Sequence, residues 1–401
     1  MKRLMLLMLL ALPALLRAQG EATMLFLLIP PSPLLNGMGA VGAALPSDDP
    51  FAFHFNPAQL GQTATGTFFS THVYPGKVDW IPPFDLLTSN NFALNLGYGF
   101  KNSAGKTWLK YGAGFMSGRL DYNFRDTYGT RYEAKESYQA FGFAVGVNHG
   151  VEIDAGLTYK DVDSRFGFTQ TPSDIEETDA SAIDLGLLVN IPLAKAPPTS
   201  GEVTGTSPKY YPVLDLSLGY SILNIGDEVS YIDEGQADPL PRTARFGYGI
   251  RTGVNTVLKN SETLQLLGVE WAVEAEDILI ERKEQGFEYQ LVWGDINVWK
   301  NILLLEGSDE VTTRVGIRFR LAELFSVSYG HFDGHGYYNR ETFGIGFSVK
   351  GFLKLWNASG GDATSRWLAK HFDLRYYNAN YFSGHEFETN FQGIMAAFHG
   401  F

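Results

Sequence analysis

Few residues in this chain have the type and spacing for covalent chemistry. His331-Phe332-Asp333-Gly334-His335 carries metal-ligand side chains at alternate positions. Zinc sites draw on three or four protein ligands, and no further ones stand nearby, so solvated residues of an exposed hairpin loop are expected here. Gly346-Phe347-Ser348-Val349-Lys350 ends without the glycine that a nucleophile elbow requires. Gly37-Met38-Gly39-Ala40-Val41-Gly42 fits the dinucleotide fingerprint, but a Pro-rich run precedes it and no βαβ unit surrounds it. The absence of cysteine excludes thiol catalysis, disulfides, thiolate zinc and iron–sulfur clusters. A non-enzyme without metal or cofactor is the expectation.

The charged residues have a different pattern. Asp154, Asp184, Asp215, Arg245, Arg251, Glu270, Glu288, Arg314 and Arg318 fall among small residues on one side of alternating segments. Such charges can form a selectivity path or hold an inner segment; a ladder of paired charges that fills a barrel is the alternative. The formal net charge of −13 argues against a nucleic-acid surface.

The elements that would position these residues begin behind an export signal. Lys2 and Arg3 precede an apolar run from Leu4 to Leu16, and Leu16 and Ala18 suit cleavage before Gln19. Residues 1–18 are therefore expected to be a signal peptide. Its removal leaves 28 basic against 44 acidic residues. No later run reaches the roughly 18 apolar residues of a membrane helix, but an exported chain can also span a membrane as a closed barrel.

Strand grammar supports that route. Leu94, Leu96, Tyr98 and Phe100 alternate with Asn95, Gly97 and Gly99. Ile183, Leu185, Leu187, Val189 and Ile191 alternate with Asp184, Gly186 and Asn190, and the pattern returns around 141–147, 214–222, 244–250 and 343–349. Large apolar groups on one face with small or polar ones on the other suit a membrane barrel with apolar side chains outward. Fourteen strands are expected: 65–74, 91–100, 108–118, 138–148, 151–160, 181–191, 213–223, 242–252, 262–273, 286–294, 301–306, 311–320, 324–332 and 341–350. The fold class is thus all-β, a transmembrane antiparallel up-and-down barrel of about 14 strands over residues 65–350. Residues 19–64 would form a lumenal plug, with Asn56 and Pro57 fixing the start of the first strand. Residues 351–401 would be a C-terminal extension, periplasmic or supplying two further strands.

Gly37-Met38-Gly39, the acidic pair Asp48-Asp49 and Asn56-Pro57-Ala58 before the first strand resemble the N-terminus of the PorV/PorQ family. Gly219-Tyr220-Ser221-Ile222-Leu223-Asn224-Ile225-Gly226 and Leu240-Pro241-Arg242-Thr243-Ala244-Arg245 are similar to its mid-barrel segments, and the likeness extends to about Lys350. Pro31-Ser32-Pro33-Leu34-Leu35 departs from the family, which commonly carries an acidic residue and an Arg there. The resemblance implies a FadL-like fourteen-stranded barrel in the outer membrane, reached after Sec-type export. It also implies a role in type IX protein secretion and surface attachment, with a large translocon barrel and the C-terminal domains of secreted cargo as partners. The alternative is a FadL-like channel that takes up hydrophobic small molecules; the outer-membrane lipid bilayer is an expected partner in either case, and a hydrophobic ligand or lipid a further one.

Overall fold

The computed structural model describes residues 22–64, 66–84, 87–122, 132–168, 176–194, 210–230, 237–258, 262–283 and 286–400. The expected signal peptide, residues 1–18, lies outside them. The wall consists of β1 (Phe68–Val73), β2 (Leu87–Lys101), β3 (Thr107–Tyr122), β4 (Tyr132–Asn148), β5 (Glu152–Phe168), β6 (Glu176–Pro192) and β7 (Tyr210–Gly226). It continues through β8 (Thr243–Val257), β9 (Thr263–Ile278), β10 (Val311–Leu321), β11 (Phe325–Gly334), β12 (Tyr337–Ser348), β13 (Phe372–Tyr381) and β14 (Thr389–His399). The sheet has 15 strands, one of which is only the two-residue Val78–Asp79 against β2, leaving fourteen. Neighbours in sequence pair antiparallel, and β1 closes the ring with β2 on one edge (Val73↔Phe92) and β14 on the other (Phe68↔His399). Closure leaves no open strand edge, as a bilayer demands.

Burial in this barrel is inverted relative to a soluble protein. On β6, Leu187 is 44% exposed while Asp184 is 0% exposed. On β2, Leu96 and Tyr98 face out while Asn91 and Asn95 are buried. Lys110 and Lys160, at 1% exposure each, point inward, whereas Phe141, Phe143, Leu157, Leu218, Phe319 and Ile345 cover the outside. Water would penalise such a wall, but hydrocarbon suits it. Among the described residues no helix is long and apolar enough to cross a membrane.

The short connections after β2, β4, β8 and β10 share one rim, here the terminal rim, because β1 starts and β14 ends there. Two connections on this rim break the rule of short turns. One is 193–209, and the other joins β12 to β13 through the helices α3 (Val349–Ala358) and α4 (Ala363–His371). The opposite, loop rim carries the remaining connections, including 279–310. Strands β2–β9 run 15–17 residues and β10–β14 only 10–12, so one side of the wall stands taller.

Several expected boundaries shift. Residues 286–294 and 301–306 are not barrel strands: Phe287–Tyr289 forms a small hairpin with Ile280–Arg282, and Val298–Leu303 is a π-helical turn. Phe287, Tyr289 and Leu291 alternate with Glu288 and Gln290, but the strand Phe287–Tyr289 pairs only with Ile280–Arg282, outside the ring. Their places in the ring are taken by β13 and β14, within the expected C-terminal extension. Strands β4–β7 also run further toward the loop rim than their apolar alternation does. His331 and Asp333 lie within β11 rather than in a loop, and only His335 occupies the turn to β12. No metal-binding group of three ligands occurs among the described residues.

If the outer wall lies in lipid, Leu187→Arg should cost about 2–4 kcal/mol near the bilayer midplane, and Leu187→Ala clearly less. Urea titrations of folding into vesicles measure both; equal midpoints for Leu187→Arg and the parent would remove the wall from the bilayer.

Candidate functional site: the lumen and its N-terminal segment

Residues 22–64 are almost wholly buried and touch strands around the whole ring, which places them inside the barrel. The segment contains two 3-10 turns (Leu25–Leu28 and Pro50–His54), α1 (Pro33–Asn36) and α2 (Gln59–Gln62), and is otherwise irregular. Ser32 caps α1, its hydroxyl accepting the Leu35 amide at 3.0 Å. Asp49 caps the second 3-10 turn through the Phe51 amide at 3.0 Å, accepts a hydrogen bond from the Ser32 hydroxyl and meets His72 Nδ1 of β1 at 2.7 Å. Ser32, Asp49 and His72 therefore join in a row, but Asp49 stands in the middle. A hydrolytic triad needs the histidine there to take the serine proton, so this row is structural.

An irregular segment has no sheet to satisfy its backbone groups, and the wall supplies partners instead. Glu274 of β9 accepts the Ala43 and Ala44 amides at 2.6 and 3.1 Å. Arg245 donates to the Ala40 carbonyl (2.7 Å), Arg314 to that of Gly39 (3.2 Å) and Arg251 to that of Pro46 (2.8 Å). Thr342 accepts the Gly39 amide at 2.9 Å, and Ser221 donates to the Phe55 carbonyl at 2.7 Å. Within the segment, Gln59 ties Gly42, Leu45 and Ser47 together at 2.8–3.0 Å.

The same wall charges pair with one another. Arg245 meets Glu274 at 3.0 Å and Glu276 at 3.2 Å, and Arg314 meets Glu276 at 3.1 Å. Glu270 gathers Arg318, Arg320 (2.8 Å) and Arg251 (3.3 Å), while Asp215 stands 4.0 Å from Arg251. On the other side of the lumen, Lys110 pairs with Asp154 at 3.1 Å and Lys160 with Asp184 at 2.9 Å. Glu288 is not in the lumen; it sits on the exposed hairpin of the ninth connection.

The residues quoted for the family resemblance spread along the segment. Gly37 ends α1 against Gly344, and Met38 packs with Val41, Leu45 and Ala272. Gly39 has φ +76°, a region that favours glycine. Asp48 meets Arg375 at 2.8 Å; burial alone would push its carboxyl up, but that guanidinium outweighs burial and holds it well below the usual range. Asn56 donates to the Ala43 and Leu187 carbonyls at 2.7 and 3.0 Å and accepts the Ala58 amide at 3.0 Å. Pro57 lies against wall glycines and does not start β1, because α2 intervenes before Phe68. Where the segment presses hardest the wall has no side chain: a Cβ on Gly112, Gly156 or Gly219 would collide with the backbone of Leu60, Pro57 or Ala43.

The lumen is also divided along its axis. Toward the loop rim, Phe26, Phe51, Phe53 and Phe55 of the segment pack in one cluster with Tyr74, Tyr138, Phe332, Tyr381, Phe382 and Phe391 of the wall and loops. His54 borders it; burial, with Lys160 and Arg245 nearby, pushes its imidazole well below the usual range and keeps it neutral. At the terminal rim a cavity of about 200 Å³ is lined by Leu34, Asp48, Arg318, Arg320, Lys350 and Arg375. Sequence reasoning missed Ser32, His72, Lys110, Lys160, Glu274, Glu276, Thr342 and Arg375. For Glu274 and Glu276, four and six residues beyond Glu270 and so on its face of the strand, alternation was a usable signal; for His72 and Arg375 there was none.

Breaking a buried pair costs about 3–5 kcal/mol, so Glu274→Ala should speed hydrogen exchange at Ala43 and Ala44 a hundredfold or more, while Glu288→Ala leaves it unchanged. Gly219→Val should open the segment to added protease. Unchanged exchange and cleavage in both lumen variants would mean that the wall does not hold the segment.

No protein-family model matches the chain, and no curated protein matches it. Among solved structures, the Pseudomonas putida toluene transporter TodX aligns over 91% of this chain and 96% of its own, at 8% identity and a TM-score of 0.41. A Pseudomonas aeruginosa FadL homologue aligns over 92% and 96% at 7% identity and a TM-score of 0.40. The translocator domain of the autotransporter NalP from Neisseria meningitidis aligns over 85% and 90% at 12% identity and a TM-score of 0.38.

Proposed function

We propose that this chain is an integral outer-membrane transport barrel, non-enzymatic and exported by the Sec route, that admits apolar small molecules past an N-terminal plug. The observation that carries this reading is the aromatic cluster in the lumen near the loop rim. A water-filled pore lines its interior with polar groups, whereas rings such as Phe51, Phe332, Tyr381 and Phe391 offer an apolar solute a place to leave water. Residues 22–64 close the path at rest. The wall holds them by hydrogen bonds, ion pairs and packing, so they can shift without breaking the wall's own ladder.

A second reading, a partner-binding component of protein secretion and surface attachment, draws on the ninth connection. Its residues 291–305 turn back over the outer face of the wall, with Trp293 ring centroids 4.7 Å from Tyr220 and 5.1 Å from Phe246. Leu291 and Trp299 remain 85% and 67% exposed on this apron. Protein interfaces are rich in such aromatic anchors.

The chain's lack of cysteine makes the plug simple to lock. A Cβ at Gly249 would lie 3.3 Å from Leu45 Cα, so Leu45→Cys with Gly249→Cys should form a disulfide between plug and β8. In vesicles, uptake of a radiolabelled aromatic hydrocarbon should fall at least tenfold on oxidation and return on reduction. Uptake indifferent to the lock, or no faster than in empty vesicles, would end the transport reading. Gentle extraction from membranes with a large barrel partner bound would then favour secretion.

A further inference from the structure

We propose that α3 and α4 form an interfacial anchor, whose ligand is the anionic phospholipid surface of the leaflet at the terminal rim. The starting point is their place in the fold. They occupy the twelfth connection, on the rim where β2–β3, β4–β5 and β10–β11 are joined by short turns, and two strands of 10–12 residues need no such bridge.

α3 is two-faced in the opposite sense to a packed helix. At about 100° per residue, Lys350, Lys354 and Asn357 share one side, and Phe352, Leu355, Trp356 and Ser359 the other. The polar side faces the protein: Lys350 lines the cavity at the lumen mouth, and Lys354 Nζ donates to the Thr263 carbonyl at 2.8 Å and pairs with Glu323 at 2.7 Å. Asn357 donates to the Ser365 carbonyl of α4 at 3.1 Å. The apolar side is left uncovered, with Phe352 49% and Trp356 56% exposed, and Trp367 of α4 at 52%. Because Lys350 points toward the lumen mouth, the opposite side points away from the barrel axis. Just above it on the wall stand the outward residues Phe325 and Phe347, ring centroids 5.5 Å apart. The apolar stripe thus continues the lipid-facing belt around the rim.

Charge fits the same occupant. Residues 349–371 carry Lys350, Lys354, Arg366 and Lys370 against Asp362 alone, in a chain of net charge −13. Arg366 and Lys370 are exposed beside Trp367. Apolar side chains below the headgroups, Trp at the boundary and basic groups beside phosphates are what an interfacial helix presents. A water-facing hairpin would gain nothing from this stripe.

Site-directed spin labelling tests the assignment in the full-length chain, since no native cysteine interferes. Phe352→Cys, Trp356→Cys and the control Thr364→Cys would be labelled singly, folded into vesicles of phosphatidylethanolamine and phosphatidylglycerol, and checked for heat-modifiable mobility. Collisions with oxygen should dominate at 352 and 356 and with a water-soluble nickel chelate at 364. Adding Arg366→Glu and Lys370→Glu to Trp356→Cys should shift that label toward nickel in these vesicles and much less in phosphatidylcholine. Nickel dominance at 352 and 356 would overturn the proposal. Exclusion of both reagents would also overturn it, pointing to a covering protein or second copy. No response to the charge reversals would remove the anionic headgroup from the assignment.

Discussion

Two sets of polar groups inside this barrel satisfy each other. The lipid-facing wall must be apolar, so its carboxylates and guanidinium groups turn inward, where exposure falls to a few per cent at Glu270, Glu274, Arg245, Arg314 and Arg318. A lone charge there would cost several kcal/mol. Residues 22–64, for their part, form an irregular chain whose amides and carbonyls have no sheet to join. Glu274 resolves both problems at once by accepting two amides and pairing with Arg245. Arg245 and Arg314 do the same for the carbonyls of Ala40 and Gly39.

That mutual dependence shapes the wall as well. Many inward positions over the segment are charged or hydroxylated, to meet its backbone, or glycine, to let that backbone approach. A barrel that held only water would need neither and would have bulkier polar side chains at those positions. Aromatic packing near the loop rim, and polar contacts that run from Arg245 and Arg314 beside that cluster to Asp48–Arg375 at the terminal rim, give the segment two kinds of attachment. Salt screens exposed ion pairs more than buried ones, and it does little to apolar packing, so neither attachment is a simple ionic latch.

The outer surface departs from a plain barrel in two places, and both are non-strand elements. The apron of residues 291–305 covers Val273, Ala275 and Val311, residues that would otherwise face lipid, and presents a new apolar surface in their place. The α3–α4 hairpin extends the belt around the opposite rim. Both stand where the tall and short parts of the wall meet or where short strands leave the rim uncovered.

How much of this was legible in the sequence follows from what each residue must face. Leu94 to Phe100 and Ile183 to Ile191 alternate cleanly because one face meets lipid and the other a lumen of small and polar groups, so the barrel and its antiparallel order could be read there. The count of fourteen was reached with two wrong members: Phe287 to Trp293 alternates but pairs outside the ring, with Ile280–Arg282, whereas β13 and β14 could be read only as two optional strands of the C-terminal extension, because Tyr376-Tyr377-Asn378 and Met395-Ala396-Ala397 mix both faces. Their inward side packs against Leu34 and Phe68 rather than water, which erases the polar half of the pattern. Paired charges could be expected on the inner face, but which Arg meets which Glu depends on register across strands far apart in sequence. Local alternation determines which way a side chain points; only closure of the ring, and the segment folded into it, decides what it meets.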